Sequence, residues 1–171
     1  MFKKAPIFLF ALLTSALLSA QTAPKYGHMN LGNLLELLPD TKKANDDLKI
    51  FADQLSAKDD SMVQTFQAKV QLFQKEYEAG GLTPVQGQQK EAELQKEQEA
   101  LQKFEADAND MVSTKREELL RPILTKIDEA IKGVAKENGY AMIFDTSSGS
   151  MLFANETDDV TPLVKARLGL N

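Results

Sequence analysis

The sequence predicts an α+β fold: a long antiparallel α-helical hairpin inserted into a small β-containing oligomerisation body, which the N- and C-terminal segments form together. Three observations predict it. Between Asp40 and Arg121 there is one proline, Pro84, close to the midpoint, and glycine occurs only at Gly80, Gly81 and Gly87. The runs on either side are rich in Ala, Leu, Gln, Glu and Lys, which lose little side-chain freedom in a helix. Short apolar runs with strand character occur only outside this stretch, at both chain ends.

The hairpin is the best-determined element. Phe51 and Leu55 are followed eleven residues later by Met62 and Phe66, and eleven further on by Phe73 and Tyr77. Eleven residues in three turns is about 3.67 per turn, so the stripe stays on one face with little supercoil. Gly80 and Gly81 suit the left-handed end of a helix. Thr83, Pro84, Val85 and Gln86 form a capping box, with Thr83 as N-cap and Gln86 reaching back. Folding the chain between Thr83 and Pro84 sets Phe73 against Leu94, Phe66 against Leu101, Leu55 against Val112 and Leu48 against Leu119; Met62 falls near Phe104 or Glu105.

The ends are read in order. Lys3 and Lys4, the apolar run Ile7 to Leu18, and Ser19-Ala20 have the layout of a secretory signal peptide cut after Ala20. The apolar run is too short for a membrane span. Tyr26 to Leu31 is expected to be a strand, broken by Gly32 and Asn33. A short helix bearing Leu34, Leu35, Leu37 and Leu38 should end at Pro39. Pro122 should bend or interrupt the second arm. Beyond it Ile123, Leu124, Ile127, Ala130, Ile131 and Val134 form an amphipathic helix that stops at Asn138-Gly139. Tyr140 to Asp145 reads as a strand, Ser147 to Ser150 as a turn, and Met151 to Ala154 as a further strand. Asp159 or Thr161 should cap a last helix with Pro162 in its first turn. The resulting organisation is a signal segment over 1–20, a body from 21–39 and 122–171, and a hairpin over 40–121 that turns at 80–84. Three short strands leave exposed edges, which invite completion by further copies.

The composition excludes several function classes. Removing Lys3 and Lys4 from 20 basic residues leaves 18 against 25 acidic, a net charge of −7. Such a chain is a poor nucleic-acid binder. With no cysteine there is neither a disulfide nor a lipid-bearing thiol. The single histidine, His28, has no second soft ligand beside it, so no metal site is expected. The acid pairs Asp46-Asp47, Asp59-Asp60 and Asp158-Asp159 are adjacent, so on a helix they point apart. Asp145-Thr146-Ser147 lacks the glycine that aspartic proteases carry after the threonine. No phosphate-binding loop occurs. No catalytic residue, cofactor or metal is predicted.

The segment Leu119-Leu120-Arg121-Pro122-Ile123-Leu124, with Lys126-Ile127, Ala130-Ile131 and Val134 to Tyr140, is followed by Ile143-Phe144-Asp145 and Asp159-Val160-Thr161. Together with His28-Met29-Asn30, Leu34-Leu35 and Leu38-Pro39, it closely resembles the Skp/OmpH family of periplasmic chaperones for outer-membrane proteins. The resemblance implies a homotrimer whose β-body carries three hairpins around a cavity, holding unfolded outer-membrane β-barrel proteins without ATP. It also implies a periplasmic location and no enzymatic activity. Some members of that family are strongly basic, whereas this chain is acidic. Transient contact with a membrane surface is therefore weakened, and apolar contact must carry more of the binding.

The hairpin's seam uses Leu55, Met62, Phe66, Phe73, Leu94, Leu101 and Phe104. The apolar residues left over are the candidate client-binding set: Ile50, Val63, Val70, Leu72 and Met111 along the arms, with Tyr77, Leu82 and Val85 near the tip. Candidate trimerisation residues are Met29, Leu31, Met142, Ile143, Phe144, Leu152 and Phe153. A structural or adaptor coiled coil that binds one folded partner is the alternative.

Overall fold

The computed structural model describes residues 23–170; the signal segment expected over 1–20 lies outside them. The elements are β1 (Lys25–Met29), α1 (Leu31–Leu37), α2 (Pro39–Glu78), α3 (Pro84–Asn138), β2 (Tyr140–Asp145), a single 3-10 turn (Glu156–Asp158) and α4 (Thr161–Leu168). The chain divides into two compact units. One joins the chain up to Leu31 with Ala130–Gly169, and the other is Gly32–Glu129.

The second unit is dominated by α2 and the greater part of α3. At 1.5 Å per residue the 40 residues of α2 run about 60 Å. Its C-terminus closes as a Schellman motif. Gly80 takes φ 67°, the Gly81 N–H donates to the Glu76 carbonyl at 3.0 Å, and the Gly80 N–H donates to that of Tyr77 at 3.0 Å. The expected capping box then opens α3: the Thr83 N–H donates to Gln86 Oε1 at 2.9 Å, and the Gln86 N–H to Thr83 Oγ1 at 3.3 Å.

Ion pairs fix the register of the two arms. Lys69 pairs with Glu97, Glu76 with Lys90, and Asp40 with Lys126, the last at 3.2 Å. Each pair is symmetric about Thr83, as is Lys115 Nζ, 6.0 Å from the centroid of the Phe51 ring. The fold point therefore sits on Thr83, half a residue from the expected one, and Phe73 and Leu94 line one cleft as expected.

Two local expectations fail for physical reasons. The strand ends at Met29, and Gly32 and Asn33 lie inside α1 rather than before it. The Asp145 carboxylate accepts the Leu31 N–H at 3.1 Å and so caps α1 from a distant part of the chain. As expected, the short helix α1 ends before Pro39, which stands at the start of α2 with Leu38 as its N-cap. Pro122 lies inside an uninterrupted α3. A proline there costs about 3 kcal/mol, but Ile123 and Ile127 on the same stretch are buried. Two buried isoleucines contribute about 1.5–3 kcal/mol each, enough to hold the helix together.

The first unit contains a sheet of two parallel strands. Tyr26 lies opposite Met142, Gly27 opposite Ile143, and His28 opposite Phe144. The crossover between them is the entire helical hairpin. Gly27 is required by close approach. A Cβ there would lie 2.7 Å from Val160 Cγ1 and 3.0 Å from the Tyr140 ring. Met29, Ala130, Val134, Val160 and Val164 supply the unit's buried apolar residues. Helix α4 is capped by Asp159, whose Oδ1 accepts the Thr161 N–H at 2.7 Å, and ends at Gly169 with φ 74°.

Met151 to Ala154 does not form the expected third strand; it is unpaired. His28 Nε2 donates to the Asn155 carbonyl at 2.8 Å, and the Val160 N–H donates to the His28 carbonyl at 2.9 Å. These bonds draw the returning chain to β1, whereas a hairpin would run it back along β2. Leu152 and Phe153 are left 98% and 80% exposed.

Candidate functional site

Among the described residues, clefts lie along the two arms and beside the sheet. Among the described residues no group of three or more His, Cys, Asp or Glu is placed to hold a metal ion. Asp145 is a turn and helix cap. Its Oδ2 accepts the Ser147 hydroxyl at 2.7 Å, and its Oδ1 accepts the Ser147 N–H at 2.9 Å as well as the Leu31 N–H. The Ser147 hydroxyl holds this carboxyl below its ordinary 3.8; burial pushes the other way by less, and the Ser147 and Leu31 backbone N–H groups add smaller downward contributions. A carboxylate used in this way is held by its donors and is not free to act as an acid or base.

What the hairpin offers instead is surface. Successive helical residues turn by about 100°, so the residues just before and just after a seam position fall on opposite faces. The antiparallel pairing brings the "before" residues of both arms to the same face. Ile50 and Leu72 precede the seam residues Phe51 and Phe73, and Met111 precedes Val112. These three are 56%, 54% and 44% exposed. Two clefts between the arms open on this face. One is lined by Phe51, Met111 and Lys115, and the other by Leu72, Phe73 and Leu94. Val63 follows Met62 and so belongs to the opposite face; Val70 lies on the flank of the seam, and both are half-buried. The five arm candidates are therefore not one lining.

At the tip, Tyr77 and Val85 are exposed and Leu82 is half-buried. The Tyr77 ring lies 6.0 Å from that of Phe73 and extends the seam's aromatic end.

The first unit has its own apolar surface. Tyr26 and Phe144 are partly exposed on the sheet, their ring centroids 6.3 Å apart. With Met151, Phe153 and Ala154 they line a cleft of about 310 Å³. Met142 is exposed beside them. The other candidates for assembly differ. Met29 is only 2% exposed, because alternation along β1 turns it inward, so its side chain has no surface left for another copy. Leu31 and Ile143 are half-buried. Tyr26 and Met151 were not among the sequence candidates. The alternation of Tyr26 with Gly27 carried a signal for Tyr26, while Met151 comes to the cleft on the segment that the His28–Asn155 bond draws toward β1.

The structure is similar to a crystal structure from Caulobacter crescentus CB15, called an OmpH-like outer membrane chaperone. The TM-score is 0.69 and the identity 16%, over 87% of this chain and 86% of that one. Among curated proteins, none matches the sequence. The model of the family described as Outer membrane protein (OmpH-like) matches residues 25–168. By that match, which spans both compact units, the chain belongs to the OmpH-like family.

Proposed function

We propose that the protein is an ATP-independent periplasmic holdase. It binds unfolded outer-membrane β-barrel proteins between its hairpins and prevents their aggregation. The observation that carries this reading is the exposed set Ile50, Leu72 and Met111 on one face of the arms. An uninserted barrel strand alternates apolar and polar residues, and its apolar side aggregates. Three half-exposed side chains can each contribute about 0.5–1 kcal/mol on partial burial. Contacts of that size retain a chain reversibly and yield when it folds into a bilayer. The protein acts without a cofactor and catalyses no reaction.

The small body supports self-assembly. A two-stranded sheet is at best marginal alone, and Met142, Phe144, Leu152 and Phe153 expose apolar surface around it. In this reading three copies join through these residues, and the hairpins surround a shared space. An N-terminal signal peptide cut after Ala20 delivers the chain to the periplasm.

The test is aggregation of several unrelated unfolded barrel proteins, followed by light scattering. The native protein should suppress it for all of them. Ile50→Ser, Leu72→Ser and Met111→Ser combined should weaken suppression several-fold and leave the oligomer's mass unchanged. Stoichiometric binding of a single folded partner, with no effect on unfolded barrels, would favour an adaptor instead.

A further inference from the structure

The hairpin's other broad face has a different chemistry. In the distal half of the arms, the face that bears Leu72 also carries Lys58, Lys69, Glu93, Lys96 and Lys103. The face on the other side of the seam carries Gln67, Gln71, Gln74, Gln95, Gln98 and Gln102, together with Val63 and the acids Asp60, Glu78, Glu91 and Glu105. All six glutamines are exposed. By the symmetry about Thr83, Gln71 stands across from Gln95, and Gln98 lies nearly level with Gln67. Gln95 donates to Glu99 Oε1 at 3.3 Å. The amides of Gln67, Gln71, Gln74, Gln98 and Gln102 make no hydrogen bond among the described residues.

We propose that this amide-rich face binds the main chain of an extended, unfolded polypeptide, its glutamines hydrogen-bonding the unpaired backbone N–H and C=O groups. The inference rests on the holdase reading and adds the chemistry by which a client is recognised. A primary amide both donates and accepts, as the peptide group does. Charged side chains offer one sign only and cost more to strip of water. Gln67, Gln71 and Gln74 rise along the helix in steps of about 6 and 4.5 Å. Peptide groups facing one side of an extended strand recur every 6.6–6.8 Å or so, within reach of flexible glutamine side chains. The main chain is also the one feature that all unfolded clients share, whatever their charge. An acidic container that recognises it does not depend on basic patches.

The test is a double-mutant cycle. The full-length protein is compared with a variant carrying Gln67→Ala, Gln74→Ala, Gln98→Ala and Gln102→Ala; alanine keeps the helices favourable, and circular dichroism verifies them. Each is titrated with a synthetic amphipathic β-strand peptide and with the same peptide N-methylated along one backbone edge. N-methylation should weaken binding to the native protein about tenfold, the effect of one or two net hydrogen bonds. It should leave the variant's already weaker binding nearly unchanged. Equal losses from N-methylation in both proteins would overturn the inference, as would equal affinity of both proteins for the parent peptide. If the native protein binds neither the parent peptide nor unfolded barrels, the holdase reading itself falls, and the inference with it.

Discussion

Gly27→Ala is a one-carbon change with a cost that can be worked from the geometry. The added Cβ would sit 2.7 Å from Val160 Cγ1 and 3.0 and 3.2 Å from two carbons of the Tyr140 ring. Ordinary carbon contacts lie near 3.5–4.0 Å, so one neighbour must retreat. Val160 cannot do so easily. It is fully buried, its N–H donates to the His28 carbonyl at 2.9 Å, and its own carbonyl accepts the Val164 N–H at 3.0 Å. Overpacking of this kind costs about 1–3 kcal/mol, while replacing glycine within a strand returns about 0.5–1 kcal/mol. The expected net loss is about 1–2 kcal/mol. It should be read from the denaturation midpoint at fixed protomer concentration, because assembly shifts apparent stability. Val160→Ala in the same background should relieve the clash, so the double variant should lose less than the sum of the two single changes. A Gly27→Ala protein as stable as the native one, or strictly additive losses, would refute the close packing of β1 on Val160.

Three further changes probe other features. Asp59 is a seam residue whose Oδ1 is shielded from water without a hydrogen-bond partner, and the symmetry about Thr83 sets it against Asp107; Asp59→Leu should raise hairpin stability by about 1–3 kcal/mol, measured by urea denaturation. Asp145 has a folded-state pKa below its ordinary value, so its contribution is present above the unfolded value of 3.8 and lost as pH falls through the folded one; Asp145→Asn should flatten that part of an acid-denaturation profile. A Cβ at Gly133 would meet the Arg167 guanidinium at 2.3 Å, but that group is the end of a flexible side chain. Gly133→Ala should therefore be neutral or slightly stabilising by thermal melting: about 1 kcal/mol of helix propensity outweighs the exposed Arg167–Glu137 pair.

The legible parts of this chain were those set by local rules. The eleven-residue stripe, the Gly80-Gly81 stop and the Thr83–Gln86 box are each written in a few neighbouring residues, and each forms. The parts that differed depend on contacts distant in sequence. Pro122 was expected to bend or interrupt a helix, and the burial of Ile123 and Ile127 helps to keep it continuous. The Met151–Ala154 run looked like a strand, but His28 anchors Asn155 and leaves it unpaired. The capping of α1 by Asp145 bridges residues 114 apart, which no window of sequence can display. For the candidate surfaces, periodicity separated seam from non-seam residues but not one face from the other. The split between Ile50, Leu72 and Met111 on one side and Val63 on the other needed the register that the cross-arm ion pairs supply.

The parallel pairing of β1 with β2 also bears on the order of events when the chain is made. The partner of β1 is synthesised only after all of α2 and α3, whereas the arms need only each other. The arms can close while β1 is still waiting, since short-range contacts precede long loop closure. A chain ending at Asn138 should therefore keep strong helical circular dichroism although it lacks β2, and loss of helicity in that fragment would count against this order. In the proposed trimer, completion of the C-terminus would thus act as a timer: subunits would not recognise one another before β2 is made, so unfinished chains would be kept out.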